Sequence, residues 1–183
     1  MPALLSEGTT LVINPFISLQ LDQSQDLVNR GINAACINST TGKKETKRIY
    51  TELETRRLKL LFVAPETLLK ENDYEEKYFL DYLLNECNIT HIVLDEAHGV
   101  VESSQDFRPK YKQLGILREY FPNINITCLT ATATPSDVRE IATSLGIQDT
   151  VTLIDHDLYR ENLHYTLLRK TDEISQMMGL IRQ

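Results

Sequence analysis

Short apolar runs, each closed by a polar or proline-containing peptide and separated by helix-length stretches, constrain this chain more than any other feature. The runs are residues 10–13, 34–37, 60–63, 91–94, 126–129 and 151–154. Helices are expected at 17–29, 44–54, 67–84 (broken near Asn72-Asp73), 111–120 and 136–145, with Gly31 and Gly146 as C-caps. This alternation predicts βαβ units around a mostly parallel sheet with helices on both faces, an α/β fold. In such a sheet all carboxyl ends of the strands emerge along one edge, where ligands bind. The closing peptides Asn14-Pro15, Ala64-Pro65-Glu66, Asp95-Glu96-Ala97-His98 and Thr130-Ala131-Thr132 can therefore line one cleft.

Asp95-Glu96 is the most informative of these peptides. Two adjacent carboxylates at the end of a buried strand are costly unless a cation, partner or ligand compensates for them. Mg²⁺ carrying a nucleotide phosphate is the natural compensator, because it takes one or two carboxylates and keeps its other waters. Asp95 would then hold the metal shell and Glu96 would polarise an attacking water. Taken alone, an Asp-Glu pair more often just begins a solvated loop. The peptides around it reverse that balance.

Composition narrows the class. A chain of 183 residues with 42% hydrophobic and 25% charged residues suits one globular domain with a sizeable core. No apolar run reaches a membrane span, and the start lacks the pattern of a signal peptide. Cys36, Cys87 and Cys128 are far apart, which suggests buried free thiols in a reducing compartment rather than zinc or disulfides. The net charge of −7 argues against broad adhesion to nucleic acid but allows a local basic cleft.

In order and spacing, the closing peptides resemble the motifs of a superfamily-two motor domain, most closely the RecQ family of ATP-dependent DNA helicases. The resembling stretches begin with Asn14-Pro15-Phe16-Ile17-Ser18-Leu19-Gln20-Leu21-Asp22-Gln23, Asn38-Ser39-Thr40 and Val63-Ala64-Pro65-Glu66. They continue with Asp95-Glu96-Ala97-His98, Asp106-Phe107-Arg108-Pro109 with Tyr111, and Leu129-Thr130-Ala131-Thr132-Ala133. Asp-Glu-Ala-His occurs in many helicases; its combination with Asp-Phe-Arg-Pro-x-Tyr is far more specific.

The resemblance implies a RecA-like P-loop NTPase fold that uses ATP and Mg²⁺ and acts on single-stranded or forked DNA. It implies that Asp95 coordinates Mg²⁺ through water and that Glu96 activates the water attacking the γ-phosphate. His98 would couple that site to Thr130 and Thr132. Pro15, Ser18, Gln20, Pro65 and Glu66 would lie beside single-stranded DNA, with Phe107 stacking on a base and Arg108 pairing with a phosphate or base face.

Two departures stand out. Gly-x-x-x-x-Gly-Lys-Ser/Thr, the backbone cradle for the β- and γ-phosphates, is missing. Gly42-Lys43 follows the wrong strand and has Ile37 where the earlier glycine belongs, so Gly42 reads as a turn before a helix. In the family the cradle lies just upstream of the segment matching Pro2-Ala3-Leu4-Leu5. The expectation is a fold incomplete at its amino end, by truncation or by genuine loss. Second, the places of a usual Trp and His before Asp106 hold Ser103 and Gln105, which removes about 1–3 kcal/mol of base stacking.

The expected organisation is a partial ATP-binding domain over 1–154, then a connector and the start of a second RecA-like domain over 155–183, with a strand at 163–168 and a helix at 171–182. The favoured function is a fragment of a 3′-to-5′ DNA helicase, inactive as an isolated ATPase. Alternatives are a non-catalytic nucleic-acid- or protein-binding remnant, or an RNA helicase fragment. Localisation would be nuclear in a eukaryote and cytoplasmic otherwise. Oligomeric state stays open.

Overall fold

A computed structural model describes residues 2–70, 79–101, 110–155 and 160–164. The chain divides into two compact units, Met1–Val151 and Thr152–Gln183. In the first unit, β1 (Thr9–Ile13), β2 (Ala34–Ile37), β3 (Leu60–Val63), β4 (Ile89–Leu94) and β5 (Ile126–Cys128) form one sheet in the order β2-β3-β1-β4-β5. Every pairing is parallel. The α/β architecture expected from the alternation of runs is therefore present.

Register is what builds the site. Ile13 lies opposite Val63 and Leu94, Ile37 opposite Val63, and Leu94 opposite Cys128. The residues that follow these positions (Asn14, Asn38, Ala64, Asp95 and Leu129) consequently leave the sheet at one level. From β1 the chain moves outward to β2 and then back to β3. It later crosses to β4 on the other side of β1. The crevice between the ends of β1 and β4 is thus the topological switch point, the usual ligand position in an open α/β sheet.

Helices α1 (Pro2–Leu5), α2 (Ile17–Asn29), α3 (Lys43–Glu54), α4 (Pro65–Leu68), α5 (Phe79–Glu86), α6 (Ile116–Tyr120) and α7 (Pro135–Ser144) cover the faces. Alternate strand residues point to opposite faces. Leu11, Ile13, Leu61, Val63, Ile92 and Leu94 join Ile49 and Leu53 of α3, Leu80 and Leu83 of α5, Leu117 of α6 and Ile141 of α7 in the main core. Val12, Leu60 and Phe62 form a smaller cluster with Ala3 and Ala34 on the other face. Thr134 caps α7 with a reciprocal box, accepting from the Asp137 N–H while the Asp137 carboxylate accepts from the Thr134 N–H.

Several local expectations change. The helix at 17–29 has the predicted limits; its inward face is Gln20, Ser24 and Leu27, while Leu21 and Val28 are about half exposed. The segment 111–120 begins as a 3₁₀ turn, Tyr111–Gly115, before α6. Residues 151–154 form no strand: Leu153 and Ile154 are exposed at 63% and 81%, and alternation without a neighbouring strand makes no ladder. The break expected near Asn72-Asp73 and the helix at 171–182 lie outside the described residues. So does the strand at 163–168 beyond Leu163 and His164, which are not in a strand. Among the described residues, no helix is long and apolar enough to cross a membrane.

Candidate active site

Asp95 is the first residue beyond β4, and four hydrogen bonds fix it. Its N–H donates to the Ile13 carbonyl at 2.9 Å, and the Tyr111 hydroxyl donates to its carbonyl at 2.7 Å. Its carboxylate accepts from the Glu96 N–H through Oδ1 at 3.1 Å and from Asn14 Nδ2 through Oδ2 at 2.7 Å. An ionised carboxylate offers about four lone-pair sites, so these two bonds leave about two of them unused. They suit the waters of a hydrated Mg²⁺. Among the described residues no group of three or more His, Cys, Asp or Glu side chains could cage a metal.

Glu96 adopts a left-handed backbone, φ 52° and ψ 46°. A non-glycine residue pays roughly 1–2 kcal/mol for this. The turn it makes lets the Ala97 N–H reach the Leu129 carbonyl at 2.9 Å, while the Leu129 N–H reaches the Leu94 carbonyl at 2.8 Å. The strained residue thereby ties the end of β4 to the end of β5. A 3₁₀ turn, Ala97–Val100, follows. Within it His98 Nδ1 lies 3.1 Å from Thr130 Oγ1 and 3.3 Å from Glu96 Oε2. An unprotonated Nδ1 can accept the Thr130 hydroxyl proton, and a protonated one can donate to the Glu96 carboxylate. The Thr132 N–H donates to Thr130 Oγ1 at 3.3 Å. Asp95, Glu96, His98, Thr130 and Thr132 are therefore one hydrogen-bonded group.

The residues expected beside DNA divide by exposure. Ser18 and Glu66 are exposed in the first turns of α2 and α4, whereas Pro15 and Pro65 are buried and Gln20 is fully buried. Gln20 Nε2 donates to the Asn14 carbonyl at 2.7 Å, and its Oε1 faces Asn38 Nδ2 at 3.4 Å. A side chain so enclosed holds other residues rather than touching a strand of DNA. Phe107 and Arg108, with Ser103 and Gln105, lie outside the described residues.

Sequence reasoning did not single out Asn14 as a partner of Asp95. Asn-Pro reads as a strand stop, and Asn14 Oδ1 does accept the Phe16 N–H at 2.7 Å in an Asx turn. Its other end, which holds Asp95, needed the register of β1 against β4 to be seen. Gly42 precedes α3 with an ordinary φ of −73°, at the tip of the outer strand β2; β3 and β1 separate that strand from β4. It is not a phosphate cradle beside Asp95.

The three cysteines are free and partly buried. Burial pushes Cys87 and Cys128 up to about 11 and raises Cys36 as well. Burial thus favours the protonated thiol over the nucleophilic thiolate at all three.

The sequence model of the DEAD/DEAH box helicase family matches residues 1–141. An ATP-dependent DNA helicase RecQ of Pasteurella multocida is 36% identical over 181 residues, covering 99% of this chain and 27% of that protein. An ATP-dependent DNA helicase Q1 of Rattus norvegicus is 37% identical over 172 residues, covering 93% of this chain and 27% of that protein. The chain thus spans about a quarter of the length of these relatives. The helicase domain of Pyrococcus furiosus Hef superposes with a TM-score of 0.50 at 20% identity, over 80% of this chain and 29% of that one, a likeness of fold. With the parallel sheet and the Asp95-Glu96-Ala97-His98 group at its edge, these similarities establish that the chain belongs to the RecQ branch of the DEAD/DEAH box helicase family.

Proposed function

We propose that the unit ending at Val151 is the first motor domain of an ATP-dependent helicase moving 3′ to 5′ on single-stranded or forked DNA. The observation that carries this reading is the common level of the strand ends, which joins Asp95 and Glu96 to His98 and Thr130 across β4 and β5. When bound, Mg²⁺ with ATP supplies charge neutralisation on the transferred phosphoryl group. Asp95 orients the hydrated cation through its open lone pairs. Glu96, held by its strained backbone at the mouth of the crevice, aligns the attacking water and takes its proton. His98 shares one ring nitrogen between Glu96 and Thr130, so a shift of the Thr130–Thr132 segment changes how Glu96 is held. Ser18 and Glu66 lie beside the nucleic acid, with Phe107 and Arg108 gripping a base and a phosphate.

Phosphoryl transfer also needs a backbone cradle and an arginine supplied from a facing domain. The chain alone therefore hydrolyses ATP negligibly. Phosphate release by pure protein should stay at background with or without single-stranded DNA. Robust magnesium-dependent turnover, abolished by Glu96→Gln, would overturn that expectation.

A second reading is a non-catalytic domain that holds nucleic acid or a protein partner without using nucleotide. Fluorescence anisotropy on matched DNA and RNA strands separates the cases. The helicase reading expects a preference for DNA that ATP-Mg²⁺ modulates in the parent protein. Binding indifferent to nucleotide and to Asp95→Ala there would favour the second reading, and a preference for RNA would contradict the DNA assignment.

A further inference from the structure

Three primary amides are buried in a row behind the crevice: Asn14 and Gln20 at 0% exposure and Asn38 at 5%. Burying an amide is unfavourable unless its groups are paired. Asn14 spends Oδ1 on the Phe16 N–H and Nδ2 on Asp95 Oδ2, both at 2.7 Å. Gln20 spends Nε2 on the Asn14 carbonyl and Oε1 on Asn38 Nδ2. Asn38 Oδ1 accepts from the Thr40 N–H at 3.0 Å and the Thr40 hydroxyl at 2.7 Å.

The orientation of each amide follows from its partners. Flipping Asn14 would face its oxygen to the Asp95 carboxylate and its NH₂ to the Phe16 N–H, two repulsive contacts. Flipping Gln20 would set oxygen against the Asn14 carbonyl and nitrogen against the Asn38 NH₂. The row therefore has one direction, from the tip of β2 through α2 to the tip of β4.

We propose that Asn14 is a positioning residue for Asp95, set by Gln20 and Asn38 behind it, and that it fixes the carboxylate orientation in which a hydrated divalent cation is held. This rests on the reading of Asp95 as a metal-orienting group. A carboxylate held at one oxygen by its own neighbour's N–H can still rotate about its side-chain bonds. A second donor at 2.7 Å on the other oxygen removes that freedom and leaves the remaining lone pairs facing the crevice. Partners of this kind typically change metal affinity by about 10- to 100-fold when removed.

Two measurements on the whole chain test it. In the first, the Asn14 side-chain NH₂ is followed by nitrogen–proton NMR. One proton should be shifted downfield and slow to exchange, and Asp95→Ala should abolish both features, with Asn33 and Asn85 as internal references. An Asn14 signal indifferent to Asp95→Ala overturns the proposal, whatever the metal does.

In the second, Mn²⁺ alone is titrated while broadening of the Ala97 and Gly99 amides is followed. Asn14→Ser keeps a hydroxyl acceptor for the turn but cannot reach Asp95, and should weaken Mn²⁺ by about tenfold. Gln20→Met, which keeps volume and leaves Asn14 in place, should weaken it less. Unchanged affinity in Asn14→Ser, with an unchanged melting curve, overturns the positioning role. No broadening in the unaltered chain counts instead against Asp95 and Glu96 as a metal site, and the first measurement then decides whether Asn14 orients Asp95.

Discussion

The two faces of the sheet are covered unequally. On one, Leu11, Ile13, Leu61, Val63, Ile92 and Leu94 are buried under α3, α5, α6 and α7 in a continuous aliphatic core. On the other, among the described residues, α2 packs on β2 and β3, and a groove of about 450 Å³ runs from Leu27 of α2 and Phe62 of β3 across β1 to β4 and β5. It is lined by Thr10, His91, Val93, Thr127 and Leu129, with Ala3 of α1 at its side. Thr10 Oγ1 and His91 Nδ1, on residues paired in register, are buried with no hydrogen-bond partner among the described residues. The difference teaches that this fold is anchored from one side: stability resides under the first face, and the site at the sheet edge depends on it.

The largest effect expected from that contrast is on stability. Leu61→Ala and Ile92→Ala remove fully buried side chains from the anchored face and should each cost about 2–5 kcal/mol. Val93→Ala, facing the groove, should cost much less, because its methyl groups already border open space. Urea melts with a common slope measure both. Equal losses on the two faces would break the comparison.

A smaller effect has the opposite sign. Thr10→Val replaces an unpartnered buried hydroxyl by a methyl of similar shape, and should be neutral or stabilising by roughly 1 kcal/mol. Glu96→Gly relieves the left-handed backbone and should stabilise by about 1 kcal/mol while removing the carboxylate. Thermal melts check the first, and for the second they are paired with Mn²⁺ titration. Stability and function would then be seen to oppose each other at the crevice.

The last effect concerns the thiols and shows only at alkaline pH. Cys87 and Cys128 hold their protons more tightly in the folded chain than the ordinary value of 9.0, up to about 11. Their contribution to stability is complete below pH 9 and is lost as pH rises toward about 11. Alkylation by iodoacetamide should accordingly climb steadily with pH, with no plateau before about pH 10. A plateau near pH 8 would mean that these thiols are not shielded.

Much of this was legible in the sequence because strand and helix periods are local. The five paired runs, the limits of α2 and the end of α7 at Gly146 follow from spacing and turn residues, whereas the Thr134–Asp137 box at the start of α7 came from the structure. The site was legible as a set of strand ends, since a parallel sheet brings them to one edge whatever its order. What stayed hidden depended on register and enclosure. Gln20 is polar on a helix otherwise rich in polar residues, so it reads as facing solvent or DNA; only the packing of α2 beneath Asn14 buries it. The segment 151–154 has strand-like residues, but a strand needs a neighbour that sequence periodicity does not supply. The short α1 shows no period at all, and the turn of Glu96 is a backbone state that no residue type announces.

The account stands or falls on whether the ends of β1, β4 and β5 make one cation-holding crevice. Crystals of the chain soaked in Mn²⁺ and measured at the metal's absorption edge test this most directly. One anomalous peak is predicted at a water-bridged distance of about 4–5 Å from the Asp95 carboxylate, lost in Asp95→Ala and displaced in Asn14→Ser. A peak elsewhere on the sheet edge, or one that survives Asp95→Ala, would contradict it.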